Sequence, residues 1–493
     1  MNDNTTRPNV LILMSDQHSK YHLSCFGDPV VRTPHLDRLS AEGMRFTNAY
    51  CASPLCVPSR MAFMTSRHPS SNQVWKNNHI LNSALPTWAH TMGASGYETA
   101  LIGRMHFVGP DQRHGFEKRP MGEYSALHPG AKETGAPRFI QMPRSTAGQC
   151  REGVVIAGHG RTSYQAFDED VAAATCAYLR EKADDQEGRP FAAVGGFVLP
   201  HCPFFAPKDL FDYYYERVDV PELSEQQIAR EPLPARRFRQ TRGIEEPLTR
   251  EQIRVARASY FALCEYFDQQ IGQVLATLEE TGLAQNTLVI YCSDHGEMAG
   301  EHGCWWKSNY YEGSVGVPLI ARLPGVVAAG QVNESLCNLI DLGPTLCDLG
   351  GAETPAGMEG HSLWGTLQGE LDVGTHSVET FSEHPGGSGE APSRMIRSGP
   401  WKLYHYHGDE HPVLYNLQDD PGEWHDLAQD KVYAQRRAEL MERLYADWDP
   451  EEVLRMSAVL DRDYQTIHRW GETLNPPHPD NLPVPDSEDV TRV

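Results

Sequence analysis

The sequence has 493 residues, with 43 lysines and arginines against 66 aspartates and glutamates, a formal net charge of −23. That balance excludes a general nucleic-acid binder, which needs a basic footprint to displace counterions from phosphates, and a hydrophobic fraction of 40% excludes wholesale disorder. No run approaches the roughly 20 apolar residues of a membrane helix, and Met1–Pro8 lacks the basic-then-apolar pattern of a secretory signal, so a cytoplasmic protein with no membrane partner is expected.

The eleven cysteines are odd in number and show no C-x-x-C spacing, which reads as reduced thiols. In chain order, Asn9–Ser15 is a short apolar run ending at Asp16 and predicts a buried strand. Pro34–Gly43 and Ser163–Ala183 carry helical patterns, Phe191–Leu199 and Thr287–Cys292 are further strands, and Arg250–Thr281 is a long amphipathic helix stopped by Gly282. Strands alternating with helices predict an α/β layer structure around a mostly parallel sheet, whose ligands sit beyond the carboxyl ends of its strands.

A Gly- and Thr-rich stretch at Gly351–Gly374 suggests a boundary, placed between a domain of residues 1–370 and a smaller α+β unit of residues 371–470. Strand-like pieces at Ser377–Ser382, Met395–Ser398, Lys402–Tyr406 and Val413–Asn416, then a helical pattern at Val432–Trp448, make up that unit. Residues 471–493 carry Pro476, Pro477, Pro479, Pro483 and Pro485. They predict a non-helical, extended tail, solvated or packed on a neighbouring subunit.

The most specific local feature is Cys56-Val57-Pro58-Ser59-Arg60, followed by Met64-Thr65-Ser66-Arg67. A cysteine opening a helix, with Pro58 in its first turn, reads first as a structural thiol, but helix N-termini also favour anions and lower thiol pKa values, so a nucleophile there is physically reasonable. Asp16-Gln17 ends one predicted strand and Asp294-His295 another. Carboxylate, amide and imidazole donors converging on Cys56 would make a divalent-cation site.

These blocks, with Gly103-Arg104-Met105-His106, Pro200-His201-Cys202-Pro203, Ser293-Asp294-His295-Gly296-Glu297, Gly303 through Lys307, and Trp401-Lys402-Leu403-Tyr404, resemble the sulfatases of the alkaline-phosphatase superfamily. The resemblance implies an alkaline-phosphatase-like α/β sandwich and hydrolysis of sulfate monoesters. It also implies that a formylglycine-generating enzyme oxidises Cys56 to formylglycine, whose hydrated diol attacks sulfur with the help of one divalent cation. A covalent sulfo-enzyme forms, and the second hydroxyl then expels sulfate. By position, Asp16, Gln17, Asp294 and His295 with the modified Cys56 correspond to cation ligands, with Ca²⁺ first and Mn²⁺ or Mg²⁺ as alternatives. Arg60 corresponds to the residue holding the diol, His106 to the base for its second hydroxyl, and His201 with Lys307 to the groups that hold sulfate and protonate the leaving alkoxide. Arg104 and Asn78 are candidate contacts to the anion.

Two positions depart from the pattern, since Ser66 stands where the motif usually has glycine and Arg104 where it usually has lysine. The Asp-Gln and Asp-His pairs point to the choline-sulfatase and phosphonate-monoester-hydrolase branch, which with the proline-rich tail implies a homo-oligomer. Tyr124 is a candidate for an aromatic contact to a quaternary ammonium. The expected substrate is a small organic or aryl sulfate. Alternatives are a phosphonate monoester or phosphodiester, which carry the same single charge, and a non-catalytic sulfatase-like binding protein in which Cys56 stays a thiol.

Overall fold

A computed structural model describes residues 7–124, 127–131, 149–185, 188–370, 378–386, 391–482 and 489–493. The first apolar run forms β1 (Asn9–Asp16), with Val10 to Met14 completely buried. Seven further strands share its sheet: β2 (Met44–Tyr50), β3 (Glu98–Gly103), β4 (Lys118–Met121), β5 (Phe191–Pro200), β6 (Thr287–Ser293), β7 (Leu319–Arg322) and β8 (Gln331–Asn338). Their spatial order is β8-β2-β7-β6-β1-β5-β3-β4. All neighbours are parallel except β7, which runs against both β2 and β6. β5 and β6 are buried at every position, so the centre of the sheet is covered on both faces, as parallel sheets require.

Two groups of helices supply that cover. One contains α1 (Pro34–Ala41); the other contains α2 (Cys56–Thr65), buried at every residue and packed with the short helices Trp88–Ala94 and Leu342–Gly350. α3 (Ser163–Asp184) lies on β5, and α4 (Arg250–Glu280) packs on α1 and α3. α4 begins in a reciprocal cap, with Thr249 Oγ1 accepting from Gln252 N at 3.2 Å and Gln252 Oε1 accepting from Thr249 N at 3.0 Å. It ends at Gly282, whose φ of 75° is the left-handed stop the sequence suggested. No described helix is long and apolar enough to cross a membrane.

A second, antiparallel sheet follows in the order β9 (Glu379–His384), β10 (Ser393–Ser398), β11 (Trp401–Tyr406) and β12 (Val413–Asn416). α5 (Ala434–Tyr445) lays Leu440 and Leu444 onto Phe381, Ile396, Leu403 and Leu414 to close its core. A buried ion cluster joins the two sheets. Lys402 Nζ lies 3.0 Å from Glu312 and 2.7 Å from Glu423, while Glu312 also takes Lys20 Nζ at 2.9 Å. The α/β sandwich with a mostly parallel sheet and a smaller C-terminal α+β part is therefore the observed architecture. The start of the expected piece at Ser377, and residues 371–377 where the boundary was drawn, lie outside the described residues.

The tail corrects two expectations. α6 (Pro450–Leu474) was not foreseen, and it carries the chain through Gly471–Leu474, which were assigned to a non-helical segment. The helix stops only before Pro476, because proline's missing N–H and its ring act on the turn preceding it. Beyond it, Asp489–Arg492 pairs antiparallel with Gly158–Arg161 of the same chain, and Asn481 bridges to Glu123. The described tail is thus sheet-paired on its own chain, whereas a solvated or neighbour-bound strand was expected; Pro483 and Pro485 lie outside the described residues.

Candidate active site

β1 and β6 are adjacent and in register, with Ser15 opposite Ser293, so Asp16 and Asp294 leave the sheet side by side at its carboxyl edge. Gln17 follows with φ of 69°, a left-handed turn held by its N–H on Asp294 Oδ1 at 3.1 Å and by Tyr260 Oη donating to its carbonyl at 2.9 Å. His295 N also donates to Asp294 Oδ1, at 2.9 Å, which leaves Oδ2 for Arg60 Nε at 2.8 Å. Arg60 Nη2 reaches Asp16 Oδ2 at 3.2 Å, so one fully buried guanidinium spans both carboxylates.

Arg60 is one helical turn from Cys56, the first residue of α2, and the two share a face. Cys56 Sγ lies 3.1 Å from His295 Nε2 and 3.6 Å from Asp16 Oδ1. Ser59 Oγ donates to the Asp294 carbonyl at 2.5 Å, fixing the helix start against β6. At the other end of α2, Ser66 has φ of 53°. That is the conformation for which glycine is the default, which accounts for the usual glycine of the resembled motif. The hydroxymethyl fits because its neighbour is Gly343, where a Cβ would lie 1.9 Å from Ser66 Oγ.

β3 delivers Arg104 and His106. Gly196 on β5 lets this backbone approach, since a Cβ there would lie 1.9 Å from the Arg104 carbonyl. Arg104 uses its fork: Nε donates to Asp16 Oδ2 at 3.0 Å and Nη2 to His106 Nδ1 at 2.8 Å. A lysine ammonium could not span both with the same geometry. Glu123 Oε1 accepts from the backbone of Met105 and His106 at 3.1 and 2.7 Å, and its Oε2 lies 3.6 Å from Arg104. β5 delivers His201, whose Nδ1 meets the Cys202 carbonyl at 2.5 Å and whose Nε2 lies 2.9 Å from Lys307 Nζ. Lys307 also donates to Gln17 Oε1.

The electrostatics follow from burial. Desolvation opposes ionisation of Asp16, but His201, Arg60, Arg104 and Lys307 outweigh it and hold the carboxyl well below its ordinary value. Burial lowers His295, His201 and His106, with Lys307 adding to it at His201 and Arg104 at His106. These imidazoles are therefore neutral at neutral pH. Burial also opposes the Lys307 charge, and Cys56, Asp16, Cys202 and Asp294 more than offset it.

Asp16, Cys56, Asp294 and His295 offer ligand atoms that all lie within 4.8 Å of one another, and all four residues are buried. His295 Nδ1 sits 3.0 Å from the Gly296 carbonyl, so it carries the proton and leaves the Nε2 lone pair facing the carboxylates. A neutral imidazole and two carboxylates aimed at one point fit a divalent cation.

The structure thus brings together Asp16, Gln17, Cys56, Arg60, Arg104, His106, His201, Asp294, His295 and Lys307. Asn78 hydrogen-bonds with Tyr464 of α6. Its neighbour Asn77 is the residue at the nucleophile helix, with Oδ1 accepting from Val57 N at 3.0 Å. Tyr124 packs on Phe167 and donates to Asp170 at 2.6 Å. Asn77, Glu123 and Glu297 were not singled out from the sequence, although Glu297 closes the Ser293–Glu297 block.

Residues 8–352 match the family model described as Sulfatase, and residues 300–449 match that described as N-sulphoglucosamine sulphohydrolase, C-terminal. The choline-sulfatase of Rhizobium meliloti (strain 1021) is 34% identical over 437 residues, covering 86% of this chain and 83% of that protein. Arylsulfatase K of Canis lupus familiaris is 28% identical over 445 residues, covering 85% and 79%. Among solved structures, a phosphonate monoester hydrolase from Silicibacter pomeroyi superposes with a TM-score of 0.70 at 25% identity, covering 88% of this chain and 94% of that one.

Proposed function

The chain belongs to the sulfatase family of sulfuric ester hydrolases, and we propose that it hydrolyses the sulfate monoester of a small organic or aryl alcohol, using formylglycine made from Cys56. The observation that carries this reading is the convergence of Asp16, Cys56, Asp294 and His295 within 4.8 Å at the carboxyl edge of the sheet, with three cationic side chains around them. Asp16, Gln17, Asp294 and His295 would hold one divalent cation, Ca²⁺ first with Mn²⁺ or Mg²⁺ as alternatives. When bound, the cation would favour the anionic form of the nucleophile and neutralise charge on the ester.

The chain's own groups do the rest. Arg60, locked between Asp16 and Asp294, keeps the nucleophile's carbon in place and offsets its charge. His106, neutral at neutral pH, would take the second hydroxyl's proton at Nδ1 in place of the hydrogen bond from Arg104, so that sulfate leaves as the aldehyde reforms. Lys307 would hold a sulfate oxygen and, with His201 Nε2 2.9 Å away to receive and pass on its proton, protonate the departing alkoxide. Their burial excludes water from the sulfur.

A phosphonate monoester or phosphodiester remains the second reading, favoured by the single charge that all three esters share and by the Asp-Gln and Asp-His pairs. A formylglycine-generating enzyme as maturation partner belongs to this proposal. So does a cytoplasmic site of action, supported by cysteines that are all unpaired. A homo-oligomer is supported by Ile467, Trp470 and Leu474, exposed on α6.

Three measurements test the proposal. Peptide mass spectrometry after expression with the maturing enzyme is expected to show the Cys56 peptide lighter by about 18 Da, the thiol-to-aldehyde change; an intact thiol in active protein would overturn the formylglycine reading. On that protein, kcat/KM for an aryl or choline sulfate is expected to exceed those for a phosphonate monoester and a phosphodiester, and the reverse order would select the second reading. The rate with a small anion is expected to change little with added salt. The −23 field is screened beyond about 10 Å, whereas the cationic groups act at contact, so a steep fall with ionic strength would contradict this electrostatic account.

A further inference from the structure

A carboxylate at position 17 would offer two equivalent oxygens, but an amide has one oxygen able to face a cation and one nitrogen that is not. Gln17 therefore needs its orientation set from outside. Its Nε2 lies 2.5 Å from Glu297 Oε2, and its Oε1 accepts from Lys307 Nζ. An ammonium only donates, so Lys307 fixes which end of the amide is oxygen, and the nitrogen left at the other end donates to Glu297. The other oxygen of Glu297 accepts from the backbone of Ala299 at 2.8 Å and of Trp306 at 2.5 Å.

Gln17, Ala299 and Trp306 have φ of 69°, 47° and 65°, and each is tied to this one buried carboxylate. Left-handed backbone at residues other than glycine persists where the surroundings over-determine it. Trp306 directly precedes Lys307, so the group that turns the amide also sets the ammonium that meets it. We propose that Glu297 is a positioning residue, which directs the Gln17 amide oxygen toward the cation site and holds the Trp306–Lys307 turn against it. This rests on the divalent-cation reading of the site. It explains how an amide serves at a place where a carboxylate would need no orienting partner.

The test is the binding of Ca²⁺ alone, followed calorimetrically on metal-free wild type, Glu297→Gln, Gln17→Glu and the double variant, with thermal unfolding of each as a check on folding. Glu297→Gln is expected to weaken Ca²⁺ binding by about 10–100-fold. The new amide has a single acceptor oxygen for three donors, and Gln17 becomes free to present its nitrogen. In the Gln17→Glu background either orientation presents oxygen, and Glu297 opposes a like charge. There Glu297→Gln is expected to leave Ca²⁺ binding unchanged or tighter, a sign reversal that a merely structural role would not produce. Glu297→Asp, which keeps the charge but shortens the reach, is expected to show the same dependence on background and serves if Glu297→Gln does not fold. An equal loss in both backgrounds, or no loss in either, would overturn the positioning role alone. Wild-type protein that takes up neither Ca²⁺ nor Mn²⁺ would overturn the cation reading and this inference with it.

Discussion

Cys56→Ala is expected to lower kcat/KM by at least about 10⁴-fold with any ester the protein hydrolyses, the scale seen when an enzyme loses its nucleophile. The substitution is benign for the helix, since alanine is the best helix former and Cys56 supplies no cap to α2. Arg60 keeps both of its carboxylates and Asn77 keeps its hold on Val57 N. A folded, inactive variant would thus isolate the chemistry of one side chain. Cys56→Ser sharpens the point. A serine hydroxyl at the same place could attack sulfur, but it has no geminal partner whose deprotonation would expel sulfate. Its sulfate ester would accumulate, seen as a gain of about 80 Da, one SO₃, after incubation with substrate. Activity of the alanine variant within tenfold of wild type would remove the mechanism for sulfate and phosphonate esters alike.

What the sequence made legible follows from where each residue sits. β1, β5 and β6 occupy the middle of the sheet, are covered on both faces, and read as continuous apolar runs. β2 and β8 lie toward one edge, where polar letters such as Arg45, Asn48, Asn333 and Glu334 break the run. α6 was missed although its pattern is in the letters, since Val453, Met456, Leu460, Tyr464, Ile467 and Leu474 recur at helical spacing. The stripe is set among charged residues and only Pro450, Val453, Ser457 and Gly471 of its 25 residues are buried, so it lacks the apolar density of the core helices. Its start was nonetheless written locally, because Asp449 caps the N–H of Glu451 at 2.9 Å and Pro450 occupies the first turn.

The site divides in the same way. Asp16 and Asp294 were legible as the polar ends of two buried apolar runs and Cys56 as the opening of C-V-P-S-R at a helix start, whereas the role of Arg60 came from the resemblance alone. Asn77 and Asn78 could not be told apart by letter, since a loop gives no periodicity and only the contact to Val57 distinguishes them. Glu123, far from the motif in sequence, reaches the Met105 and His106 amides only through the fold. Arg104 was flagged as a departure from the resembled motif, which usually has lysine there, and the structure supplies the use of its fork, one arm on Asp16 and one on His106.

Lys402→Met is expected to be the most destabilising single change outside the site, costing about 3–5 kcal/mol, as breaking a buried ion pair does. Lys402 is fully buried and holds Glu312 at 3.0 Å and Glu423 at 2.7 Å, at the junction of the two sheets. Glu312 retains Lys20 at 2.9 Å in the variant, so the bare carboxylate is Glu423. Burial already raises Glu423 above its ordinary value against the pull of Lys402, and removing Lys402 raises it further. A carboxyl raised in the folded state loses stability as pH climbs from its unfolded value through its folded one. The deficit of Lys402→Met relative to wild type should therefore be larger at pH 8 than at pH 5. Glu312 behaves oppositely in the wild type. Desolvation works against its charge, yet Lys20, Lys402 and Arg397 hold it below its ordinary value, so its contribution is present at neutral pH and lost as pH falls through that lowered value. Because the penalty lies in Glu423 rather than in lost packing, Lys402→Met with Glu423→Gln should recover part of the loss, in urea unfolding followed by tryptophan fluorescence. Strict additivity of the two changes, or a deficit independent of pH, would show that Lys402 acts through its aliphatic stem and not as the charge that joins the two sheets.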